Sequence, residues 1–169
     1  LSDAVLKEIL QDPDKLKLGG MRREMSVLFS DIAGFTSMSE KTEPEILSSM
    51  LNTYLSEMTH VIFKYRGVLD KYVGDEIMAF WGAPIEEKNH AILACQTALD
   101  MQNKIEFFRK DWSSQNFVNF NVRIGINTGE MIVGNMGSDT RFDYTVIGDN
   151  VNLGARLESI NKLYGTKII

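Results

Sequence analysis

The sequence predicts an α+β fold, a sandwich of helices on a largely antiparallel sheet. Two pairs of apolar runs meet at glycine-containing dipeptides suited to tight hairpins, Gly74-Asp75 and Thr128-Gly129. Two long stretches repeat apolar residues at helical spacing. Strand and helix patterns are also mixed along the chain in a way that suits this layering. With 169 residues, 44% hydrophobic and 24% charged, the chain has about one domain's worth of core.

The elements follow in order. Residues 2–11 read as a short helix, then a turn at Asp12-Pro13-Asp14 and a stop at Gly19-Gly20. Residues 25–30 are a short apolar strand ending at Asp31, and "DIAGFTSMSEKTEPE" is too broken for one element. Residues 44–65 form a strong helix, with Thr42 or Glu43 capping ahead of Pro44. Residues 68–73 and 77–81 make the first hairpin. Residues 86–112 make the second long helix, whose apolar positions include Ile92, Cys95, Leu99, Met101, Ile105 and Phe108. Residues 120–127 and 130–135 read as a second hairpin and 142–147 as a strand. A helix over 149–163 follows, with Asp149 as N-cap, and the final "TKII" begins another strand.

The formal net charge of −5 argues against a nucleic-acid binder. Cys95 is the only cysteine, so no intrachain disulfide forms; a reducing compartment is the natural reading, with Cys95 as a buried packing residue. No apolar run approaches the roughly 20 residues of a membrane span, and no signal-peptide pattern appears. The chain opens on Leu1 and reads as a piece of something longer.

Asp31 ends a strand and Asp75 sits at a hairpin tip. If those strands are neighbours, the carboxylates converge at one edge and need a cation between them, for which magnesium is suited. On spacing alone, turn chemistry is the better account of each acid. Glu76 reads as a surface acid. Asn152 and Arg156, four apart, share one helix face that can grip a ribose or a phosphate, or simply pair with an exposed acid. His60 and His90 are lone residues, read as neither catalytic nor ligating, and no cysteine cluster supports zinc. Neither a dinucleotide-binding glycine fingerprint nor a P-loop occurs.

Four motifs in order, "VLFSDIAGFTSMSE", "GVLDKYVGDEIMAFWGAP", "VRIGINTGEMIVGNMGS" and "DYTVIGDNVNLGARLE", together resemble the catalytic domain of class III nucleotidyl cyclases. The resemblance runs from about Met21 to the end. It implies a ferredoxin-like sandwich with its C-terminal part missing, preceded over residues 1–20 by a connector from an upstream sensor module. Asp31 and Asp75 match the family's metal-binding aspartates, and Ile32 the position whose carbonyl helps hold one ion. Lys71 and Thr145 match the purine readers, Asn152 the residue that orients the ribose, and Arg156 the one that stabilises charge on the reacting phosphate.

The implied reaction converts ATP to 3′,5′-cyclic AMP and pyrophosphate with two Mg2+ per site, Mn2+ being a possible substitute. The site lies between two subunits joined head to tail in a homodimer, in the cytoplasm, whether or not the parent protein is membrane-anchored. Lysine at position 71 favours adenine, since guanylyl members typically have glutamate there; threonine at 145 resembles the bicarbonate-responsive branch. A guanylyl cyclase and a non-catalytic dimerising module are the alternatives. The acidic signature of diguanylate cyclases is absent.

Overall fold

The computed structural model describes residues 18–112 and 119–169, so the helix expected over 2–11 and the Asp12-Pro13-Asp14 turn lie outside the described residues. In chain order the elements are β1 (Gly19–Ile32), α1 (Phe35–Ser39), α2 (Pro44–Lys64), β2 (Val68–Val73), β3 (Glu76–Trp81), α3 (His90–Trp112), β4 (Val122–Gly137), β5 (Phe142–Ile147) and α4 (Asp149–Tyr164). The five strands form one sheet in the order β2-β3-β1-β4-β5, with every neighbouring pair antiparallel. The first four strands and α2 and α3 reproduce the βαββαβ connectivity of a ferredoxin-like sandwich. The expected α+β class holds.

Period-2 alternation sorts the core into two layers. Leu28, Ile32, Ile77, Ala79 and Trp81 face α2 and α3, meeting Met50, Tyr54, Met58, Ile62, Met101 and Ile105. Met25, Val27, Phe29, Met78 and Phe80 face the other way, against Val146 and Val151. Each fully buried aliphatic or aromatic side chain contributes roughly 1.5–3 kcal/mol. β1 is buried on both faces from Met25 to Ser30, which is why that stretch carries no charged residue.

Several boundaries differ from the sequence reading. Gly19-Gly20 opens β1, whose first half, rich in exposed charge, pairs with the far half of β4. The broken stretch after Asp31 contains the short helix α1. α3 starts at His90 rather than residue 86. Gly148, not Asp149, is the N-cap of α4. Cys95 is exposed, as are Ile92 and Leu99, so half of the apolar pattern in α3 faces outward. The "TKII" tail does pair: Ile168 bridges to Ile124 in parallel, with Ile126 N–H donating to Ile169 O at 2.8 Å.

The largest correction concerns Thr128-Gly129. It is no hairpin; β4 runs through it unbroken, with Ser26 opposite Thr128 and Met25 opposite Gly129. Glycine makes room there for a neighbour, since a Cβ would lie 2.6 Å from the Asn150 side chain and push it aside. A close approach of this kind reads in sequence like a turn glycine.

Among the described residues, no helix is long and apolar enough to cross a membrane.

Candidate active site

The register of β1 against β3 pairs Ser30 with Ile77, which brings the end of β1 beside the Gly74-Asp75 turn. Gly74 takes φ 64, the left-handed conformation the tight turn demands. Ile32 N–H donates to Asp75 Oδ2 at 3.0 Å. Asp31 and Asp75 are themselves in hydrogen-bond contact, and burial, then that bond and the Asp31 charge, push Asp75 up to about 7. The predicted convergence of the two acids is therefore found.

Two carboxylates this close hold a proton or a cation between them. Among the described residues no group of three or more His, Cys, Asp or Glu side chains forms a ready metal cage. A pair of carboxylates with room for outside oxygens still fits magnesium, which keeps waters and substrate phosphates in its shell.

Three further groups belong to this acid cluster, of which Arg123 and Glu158 were not singled out from sequence. Arg123 Nη2 lies 2.6 Å from Asp31 Oδ2, and its Nε lies 2.8 Å from Glu158 Oε1. Burial raises the Glu158 carboxyl, and the Arg123 charge lowers it. Glu76 is half-buried, not a surface acid, and is raised by burial and by the charges of Asp31 and Glu158. The signal for Arg123 was present: an arginine inside the otherwise apolar run of β4 needs an acid partner. α4 reaches Arg123 because two glycines let it sit directly on the sheet. A Cβ on Gly125 would lie 2.2 Å from Glu158 N, and one on Gly154 would lie 2.9 Å from Val27 Cγ1.

Lys71 and Thr145 form a second grouping. β2 and β5 lie at opposite edges in the strand order, yet the curled sheet brings them together. The Thr145 hydroxyl donates to Asp70 Oδ2, and Lys71 Nζ lies 3.4 Å from Asp70 Oδ1. The two predicted base readers thus meet across a carboxylate that the sequence reading passed over.

Asn152 and Arg156 form a third. Val151, Gly154, Glu158 and Asn161 are the buried face of α4, and Asn152 and Arg156 lie on the opposite, exposed side. Arg156 Nη2 is 3.8 Å from Asp149 Oδ1, with both side chains largely exposed, and such a pair contributes little. The described contacts of Asn152 and Arg156 include neither Asp31 nor Asp75.

His60 is exposed near Glu57. His90 Nδ1 sits 2.9 Å from Ser26 Oγ, which also bonds to Thr128 Oγ1 at 2.6 Å.

Similarity to known proteins agrees with this geometry. Adenylate cyclase 1 of Rhizobium meliloti is 36% identical over 148 residues, covering 88% of this chain and 22% of that protein. The adenylate cyclase of Anabaena cylindrica is 38% identical over 151 residues, covering 87% and 29%. The chain therefore spans less than a third of the length of these curated relatives. The crystal structure of the adenylyl cyclase CyaB from P. aeruginosa superposes with a TM-score of 0.81 at 45% identity, covering 84% of this chain and 74% of that one. That of the guanylyl cyclase Cya2 gives 0.80 at 39%, covering 84% and 72%. With its motifs in order, its acids converging, and residues 21–167 matching the model of that family, this chain belongs to the adenylate and guanylate cyclase catalytic domains.

Proposed function

We propose that the chain is an adenylyl cyclase domain that converts ATP to 3′,5′-cyclic AMP and pyrophosphate. The convergence of Asp31 and Asp75 carries the reading, because two carboxylates meet at one sheet edge with Arg123 the only cation against them among the described contacts, which leaves charge for a metal ion to offset. Asp31, Asp75 and the carbonyl of Ile32 would hold Mg2+ or Mn2+, two ions per site. When bound, the metal would ease ionisation of the ribose 3′-hydroxyl and offset phosphate charge.

In the reaction the 3′-oxygen bonds to the α-phosphorus. The bond from that phosphorus to the bridging oxygen breaks, pyrophosphate leaves, and the hydroxyl proton passes to water. Such a transfer depends on positioning and charge stabilisation rather than covalent help. Asn152 would orient the ribose, and Arg156 would neutralise charge growing on the α-phosphate. Their exposed side of α4 supports a site completed by a second copy in a head-to-tail homodimer. Lys71 would donate to adenine N1, and Thr145 would accept from the N6 amine. The resemblance of the chain to far longer relatives supports residues 1–20 as a connector from an upstream module.

The test is turnover of ATP and GTP side by side with Mg2+ and Mn2+. Cyclic AMP is expected to form faster, and Asp31→Ala or Asp75→Ala is expected to abolish it without loss of fold. Magnesium-dependent turnover in either variant would overturn the metal assignment. Faster use of GTP would favour the guanylyl reading, which similarity to Cya2 keeps in view.

A further inference from the structure

Asp70 stands out among the groups that the proposed reaction does not use. β2 pairs with β3 through Leu69–Ala79 and then Lys71–Met78, so Asp70 is the extra residue of a β-bulge. Bulges re-aim a side chain out of the regular alternation. Here the bulge turns a carboxylate inward: the Asp70 side chain is 0% exposed. A fully buried acid is costly unless it is paired.

Its partners are the two proposed base readers. The Thr145 hydroxyl donates to Oδ2, while Oδ1 has no hydrogen-bond partner and faces the Lys71 ammonium at 3.4 Å. Burial pushes the carboxyl up; the Thr145 hydroxyl, the Lys71 charge and the Val146 N–H pull it back. With donors and a cation on it, the carboxylate acts as an acceptor. A threonine hydroxyl has one proton and two lone pairs. With the proton committed to Asp70, Thr145 has only lone pairs left to offer.

Building on the adenylyl cyclase reading, we infer that Asp70 is a positioning residue for base choice. It takes the single proton of Thr145 and tethers Lys71, so that Thr145 meets a purine only as an acceptor. An exocyclic amine at purine C6 then finds a partner, and a carbonyl oxygen there meets lone pairs. Lys71 is 40% exposed at its side chain, so its ammonium can reach a nucleotide while Asp70 limits where it points. Threonine at position 145 is thus ambiguous by itself, and the buried carboxylate behind it fixes its polarity.

The test compares kcat/KM for ATP and inosine triphosphate, which differ at C6 and N1, in the chain and in four variants: Asp70→Ala, Asp70→Asn, Thr145→Val and the double variant Asp70→Asn/Thr145→Val. The ratio is independent of the fraction of active protein, so partial misfolding does not disturb it. Asp70→Ala frees the Thr145 proton. In Asp70→Asn the Lys71 charge favours the amide oxygen on its side, which places the amide NH2 against Thr145. Both variants are expected to lower the ATP preference by about tenfold or more, within the range that mismatched buried hydrogen bonds produce. In the Thr145→Val background Asp70→Asn is expected to move the ratio by less than it does with Thr145 present, since only the Lys71 tether is left to lose.

Equal losses on both nucleotides, with the ratio unchanged, would make Asp70 merely structural and overturn the inference while leaving the base reading intact. A ratio unmoved by Thr145→Val itself would overturn the base reading and this inference together. If a variant turns over neither nucleotide, the same ratio is read from calorimetric binding of the 3′-deoxy forms, with the same outcomes.

Discussion

Asp75 holds a proton that an ordinary aspartate would have lost. In an unfolded chain its pKa returns to about 3.9, whereas in the fold burial and Asp31 push it up to about 7. A carboxyl raised in this way contributes fully to stability below its unfolded pKa and loses that contribution as pH climbs through the folded value. In chelator, the melting temperature is therefore expected to fall between about pH 4 and pH 7 and to level off above that, and Asp31→Asn to flatten the slope. Calorimetric melts across that range would check this, and a melting temperature insensitive to Asp31→Asn would remove the shared proton. Arg123 is the counterpart, the one cation touching both Asp31 and Glu158 among the described contacts. Removing it strands buried acids, so Arg123→Ala is expected to cost about 3–5 kcal/mol in urea unfolding with chelator. A loss under about 1 kcal/mol would mean that solvent already screens the cluster.

At the scale of elements, the site depends on α4 lying directly on β1 and β4. Gly125 and Gly154 make that possible, since a Cβ on Gly125 would lie 2.5 Å from Gly154 O. Backbone cannot move aside as a side-chain tip can. Gly125→Ala is thus expected to destabilise by at least the about 1–3 kcal/mol of ordinary overpacking and to draw Glu158 away from Arg123. Urea unfolding of the variant checks the first part, and non-additivity in a Gly125→Ala/Glu158→Gln double-mutant cycle, with Glu158→Gln costing less in the Gly125→Ala background, checks the second. A neutral Gly125→Ala would show that α4 floats above the sheet. The same helix shows how far pattern reading reaches. Its span was legible from periodicity, but not its buried face, which comprises two non-apolar residues, Glu158 and Asn161, beside Val151 and Gly154. α3 failed in the opposite sense: Ile92, Cys95 and Leu99 look like core and face outward.

At the scale of the molecule, the acids of one chain and the exposed residues of α4 form separate groupings, which suits a site shared between two copies. Mixing an Asp31→Ala chain with an Arg156→Ala chain is expected to restore one working centre per mixed dimer, about a quarter of the wild-type activity at equal mixing, when mixed dimers form half of the population. Cyclic AMP formation in the mixture, set against each variant alone, measures it. Silence from a mixture shown by sedimentation to contain mixed dimers would rule out the shared site.

The sequence alone determined the α+β class, both long helices and the first hairpin, because local periodicity and a tight turn encode them; the meeting of Asp31 with Asp75 followed only if β1 and β3 were neighbours, which the sheet register decided. The sequence did not determine that β4 runs straight through Thr128-Gly129, that Arg123 and Glu158 complete the acid cluster, or that Asp70 lies between Lys71 and Thr145. Glycine looks the same in sequence whether it turns the chain or makes room for a neighbour, and Asp70 and Thr145 are 75 residues apart. Only the curl of the sheet and the bulge in β2 bring them together, and both arise from packing among strands distant in sequence.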